Sequence, residues 1–116
     1  LDFVKETVGD RISKVKLSDR LSDRPGAITT EGGISLEMER YFRYGPAENM
    51  RDVRATRVLE LNPTNHAVQA LQAAFAAGEK EKAGKLSKIL ATLAALAVGD
   101  EVEDTREFVD LVAELF

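Results

Sequence analysis

The chain contains no cysteine in 116 residues, which excludes disulfides, thiolate chemistry and every zinc set that needs a sulfur ligand. It has one histidine, His66. With neither a cysteine nor a second histidine, that residue cannot anchor the usual zinc sets. No apolar run approaches the roughly 20 residues that span a bilayer, and no basic-then-apolar leader opens the chain. A net positive charge is missing as well. The 16 Lys+Arg against 20 Asp+Glu give a net charge of −4, the wrong sign for a duplex nucleic-acid partner. Signatures of nucleotide and acyl chemistry are missing too. Gly32-Gly33 lacks the Gly-Lys-Ser/Thr that grips phosphate, and neither Gly-x-Gly-x-x-Gly nor a Gly-x-Ser-x-Gly elbow occurs. These absences argue against a membrane, a nucleic acid, a bound metal and catalysis by this chain, and they fit a cytoplasmic setting.

What is present is enough for one folded domain. Apolar residues make up 44% and charged residues 31%, too apolar for disorder and too polar for a membrane protein. A domain of this length buries about 65% of its unfolded surface, so it needs no covalent staple. The chain does not begin with Met, and Leu1 already belongs to an amphipathic pattern. A piece of a longer protein is therefore expected.

Leu1, Val4, Val8, Ile12 and Val15 recur at helical spacing, which predicts a helix over 2–13 with Gly9 as its weak point. Val15, Leu17 and Leu21 then alternate, which predicts a strand over 14–22. Asp23-Arg24-Pro25-Gly26 is a turn, and the β-prone residues 27–30 are expected to pair with that first strand. Residues 34–44 read as a short helix capped by Ser35, with Glu37 and Glu39 near the positive end of its dipole. Residues 56–61 form a third strand. Asn62-Pro63 then reads as a helix start, Asn as cap and Pro at the first helical position. That helix carries Val68, Leu71 and Phe75 and ends near Gly78. A longer helix runs to about Val98, and Asp104-Thr105-Arg106-Glu107 has the capping-box spacing that opens a last helix. Strands followed by helices predict an α+β domain with a small three-stranded sheet.

Residues 100–104 are acidic, but a calcium loop counted from Asp100 puts Val102, Thr105 and Leu111 at positions 3, 6 and 12. Those positions need an oxygen ligand, a glycine and a glutamate, so helix capping explains the acids better. Two apolar surfaces remain. Ile34, Met38, Tyr41 and Phe42 fall within about 100° on the short helix. This stripe either packs on the domain's own sheet or forms a partner-binding helix, tethered by Gly32-Gly33 and Gly45-Pro46. The second surface lies on the last two helices: Leu86, Ile89, Leu90, Leu93, Leu96 and Val98, then Phe108, Val109, Leu111, Val112, Leu115 and Phe116. At about 2 kcal/mol per buried large side chain, the final helix could contribute roughly 12 kcal/mol as an upper bound. Two copies could then exceed the ~4–15 kcal/mol cost of association. A homodimer joined through an intermolecular four-helix bundle accounts for this surface; an intramolecular helical layer is the alternative.

The segments VKETVGDRISKVKLSDRLSDRPGAI (4–28), SLEMERYF (35–42), VLELNPTNHAV (58–68) and GDEVEDTREF (99–108) resemble the C-terminal domain of the heat-shock protein 90 family, in its bacterial form. The resemblance covers essentially the whole chain, and the runs Leu-Ser-Asp-Arg-Leu and Leu-Glu-Leu-Asn-Pro are not generic patterns. It implies a chaperone whose ATP and Mg²⁺ are handled by other domains, so that this part carries no cofactor. It also implies a homodimer through the last two helices, with Leu86, Ile89, Leu90, Leu93, Phe108, Val112, Leu115 and Phe116 at the interface. An exposed amphipathic helix that holds unfolded client protein matches Ile34, Met38, Tyr41 and Phe42. The chain departs from the bacterial pattern at Ala91-Thr92-Leu93, where a more polar patch is usual, so the polar details of the bundle are expected to differ. The eukaryotic acidic tail is absent after Leu115-Phe116, which points to the bacterial or organellar branch. The rival reading is a stand-alone protein–protein interaction module with no link to an ATPase.

Overall fold

In the computed structural model, which describes residues 1–115, the elements run α1 (Asp2–Val8), β1 (Lys14–Leu17), β2 (Gly26–Glu31), α2 (Leu36–Tyr44), β3 (Thr56–Leu61), α3 (His66–Ala76), α4 (Lys80–Ala97) and α5 (Thr105–Ala113), with a short 3-10 helix over Glu48–Met50. This is an α+β fold. Helix α1 is shorter than its apolar spacing predicts, because Gly9 takes a positive φ of 84° and ends it. Val4 and Ile12 still reach one core, from a helix and from the segment after it.

The sheet order is β1-β3-β2, with β1 parallel and β2 antiparallel to β3. The expected pairing of 27–30 with the first strand is therefore incorrect: β3 lies between them. The reason is burial on both faces. Val58 sits on one face and Leu59 and Leu61 on the other, and all three are buried, the condition of a central strand. The tight approach of β2 to β3 depends on Gly26, where an added Cβ would lie 3.0 Å from the Glu60 carbonyl oxygen.

Asn62 does not cap α3, contrary to expectation. Asn65 does, its side chain accepting from Ala67 N at 2.8 Å. Asn62 is buried and knits the two turns at the sheet's end. Its amide donates to the carbonyls of Ser22 and Arg24 at 2.8 and 3.0 Å, and its oxygen accepts from Thr64 N and Oγ1. Helices α1, α3 and α4 cover the sheet face that carries Ile28, Leu59 and Leu61. Ala83 and Ser87, both fully buried, let α4 come close. Phe75 is not core but half-exposed, tilted on Phe3 with ring centroids 5.0 Å apart. Among the described residues, no helix is long and apolar enough to cross a membrane.

Candidate functional site

Helix α2 starts as its sequence requires, with Ser35 Oγ accepting from Met38 N at 3.1 Å. It docks, however, through the side opposite its apolar stripe. Leu36 packs against the core, and Glu39 is the one buried residue of the helix. The stripe faces away from these two. Met38 is 40% and Tyr41 68% exposed, while Ile34 and Phe42 are half-buried and Phe42 meets the Tyr41 ring edge-on at 5.8 Å. The stripe thus leaves Met38 and Tyr41 open to solvent.

The last two helices leave a second such surface. Leu90 lies in the domain's own core, and Ile89 is buried within the single chain. Leu86, Phe108 and Val112 are half-buried. Leu93 and Leu115 are 42% and 57% exposed, alongside exposed Leu96 and Val109; Phe116 lies outside the described residues. Helix α5 has no buried residue although its apolar side chains dominate one face. Its N-terminus is formed as expected, Asp104 accepting from Glu107 N at 3.0 Å. It packs chiefly on α4, tied by Lys85 to Glu114 at 3.0 Å and Lys88 to Glu107 at 3.1 Å. Among the described residues, α5 is thus placed chiefly by α4 and buries none of its side chains fully.

Overall dimensions agree. The chain measures 50 × 31 × 23 Å with a radius of gyration of 15.1 Å, against about 13 Å for a compact domain of this length. It exposes 7547 Å², whereas a monomer of this mass exposes about 6200 Å². The surplus exceeds the ~800 Å² per partner of a standard interface.

Between the two surfaces lies an ion cluster that the sequence pattern did not single out. Arg57, at the start of β3, donates from Nη1 and Nη2 to Glu39 Oε1 and Oε2 at 2.8 and 2.7 Å, and from Nε and Nη2 to Asp100 Oδ2 and Oδ1 at 2.8 and 2.9 Å. The side chains of Glu39, Arg57 and Asp100 are 3%, 11% and 11% exposed. Hydrogen bonds from Arg57 bring the Glu39 carboxyl down to about 2 against the opposing effect of burial, helped by Ala55 N–H at 2.8 Å. The same bonds to Glu39 and then Asp100 raise the Arg57 guanidinium above its ordinary value. Glu39 is therefore an ion-pair partner more than a helix-dipole residue, and Asp100 is one as well. The available signal was an arginine within a strand buried on both faces, a position that demands a counter-charge.

Among the described residues, no group of three or more His, Cys, Asp or Glu is placed to hold a metal ion. A family model described as Hsp90 protein matches residues 1–116. The chain is 34% identical over 114 residues to the chaperone protein HtpG of Clostridium perfringens, covering 98% of this chain and 18% of that protein. It is 33% identical over 117 residues to the chaperone protein HtpG of Geobacter sulfurreducens, covering 99% and 18%. Heat shock protein 90-5, chloroplastic, of Arabidopsis thaliana is 32% identical over 72 residues, 59% of this chain and 9% of that protein. The chain thus spans about a fifth of the length of the bacterial relatives it matches over nearly all its residues. A match over every residue, with relatives above 30% identity along nearly the whole chain, shows that it belongs to the Hsp90 protein family.

Proposed function

We propose that this chain is the dimerisation module of an Hsp90-family chaperone of the cytoplasm, and that α2 presents a contact for unfolded client protein. The observation that carries the reading is α5: a helix with an apolar face and no buried residue, beside exposed Leu93 and Leu96 of α4. A second copy related by a two-fold axis would cover both helices at once in a four-helix bundle. Such a foot holds two longer arms together and raises their effective concentration, so that contacts between the far ends form readily. Glycine-rich and Lys-Ser/Thr phosphate-binding elements are missing from this sequence. We therefore assign ATP and Mg²⁺, and the hydrolysis that goes with them, to parts of the family's longer chains that these residues do not span. The exposed Met38 and Tyr41 offer a flexible thioether and a large ring, chemistry suited to varied apolar segments. Light scattering across a dilution series tests the reading: a dimer that dissociates at low concentration is expected, and a strict monomer at high concentration refutes it.

A further inference from the structure

We propose that Arg57 is a positioning residue that couples the client-facing helix α2 to the loop that sets α5, so that the two surfaces change together. The proposal builds on the dimer and client surfaces assigned above and adds the connection between them. One planar guanidinium serves two carboxylates along adjacent edges, Glu39 from α2 and Asp100 from the loop after α4. Each pair is bidentate, which fixes the guanidinium plane as well as the distance. A shift of either carboxylate rotates that plane and misaligns the other. Since all three side chains are largely buried, loss of one partner leaves a poorly compensated charge, and the elements are driven to move as one.

One further hydrogen bond runs between the same elements. Arg40 of α2 donates through Nη2 to the Val98 carbonyl at the end of α4. Gly99, at φ 80°, leaves room for that guanidinium, because a Cβ there would lie 3.0 Å from Arg40 Nη2. Asp100 N in turn closes α4 on the Ala95 carbonyl at 3.0 Å. The loop from Gly99 to Asp104 therefore takes its start from α2 and Arg57, and α5 begins where it ends. A buried ion triad contributes little net stability over an apolar replacement and is better suited to fixing one arrangement. Here, together with the Arg40 bond to Val98, it fixes the angle between the two surfaces.

Hydrogen exchange on the 116-residue chain tests the coupling. Asp100→Asn, made outside α2, is expected to raise exchange of the α2 amides about tenfold. Arg11→Gln frees the same loop at another point, since Arg11 Nη1 donates to the Glu101 carbonyl at 3.1 Å; it is expected to leave α2 exchange unchanged. Acceleration confined to residues 99–104 in Asp100→Asn, or equal acceleration of α2 by both variants, overturns the proposal. In the unmodified chain, α2 and residues 99–104 are expected to share one opening equilibrium with one urea dependence, and two separate equilibria also overturn it, so the test survives a variant that fails to fold. Glu39→Gln, made on α2, is expected to weaken the dimer about tenfold by sedimentation. An unchanged dimer constant refutes the link. If the unmodified chain proves monomeric, the dimer reading fails while the exchange comparison still decides the coupling.

Discussion

Replacing Leu93 and Leu115 together by aspartate separates surface from core. Leu93 is 42% and Leu115 57% exposed, so within one chain their unburied portions amount to about one whole leucine side chain, worth roughly 2 kcal/mol when covered. A two-fold interface counts each change twice. About 4 kcal/mol of apolar burial is lost, before any cost of pressing four carboxylates into the seam, and the dimer constant should weaken by a factor of about 10³. Folding of the single chain should change little, since neither residue belongs to the buried cluster. Sedimentation equilibrium reads the first effect and circular dichroism melting the second. A variant that dimerises as tightly as the parent refutes the interface. A variant that dissociates only because it has unfolded shows that these leucines support the fold.

Three other outcomes follow from the same packing. Tyr41→Asp, at a residue 68% exposed, should move the melting temperature by no more than about 4 °C while clearly weakening suppression of aggregation of an unfolded protein; a large loss of stability would mean that α2 packs by its stripe. Glu39 has its carboxyl lowered from 4.5 to about 2, so its stabilisation is fully present above pH 4.5 and is lost as pH falls toward 2. This amounts to about 3 kcal/mol, and urea titrations at pH 2.5 and 6 should show a much smaller difference in Glu39→Gln. Asn62→Ala removes two donated and two accepted hydrogen bonds and should cost about 3 kcal/mol, a fall of roughly 10 °C in melting temperature; a fall of only a degree or two would show that water substitutes for the side chain.

Local chemistry was readable residue by residue. Thr56–Leu61 is the strand its composition predicts, Ser35 and Asp104 cap their helices as hydroxyl and carboxylate side chains do, and Gly99 ends α4. Each depends on residues within a few positions. The partner of β2 was not readable, because alternation tells which face of a strand is buried and not which strand lies beside it. Asn62 misled for a related reason: Asn before Pro is a sound cap signal, yet the carbonyls of Ser22 and Arg24, 40 and 38 residues earlier, compete for its amide. Glu39 read as a residue favoured by the helix dipole, since its partners stand 18 residues away at Arg57 and, through it, 43 further at Asp100.

By itself the sequence determined the α+β composition, most element positions, the two concentrations of apolar side chains and the family resemblance, because these follow from spacing and residue type along the chain. Only the tertiary structure decided which side of each helix meets the core. It turned Met38 and Tyr41 outward by burying Glu39 and packing Leu36 against the core, placed Ile89 and Leu90 in the interior, and left Leu93 and Leu115 at the surface. An amphipathic pattern states that a helix has an apolar face. Which face is buried depends on what stands opposite, and here a buried arginine demanded a carboxylate and took it from the other side of α2.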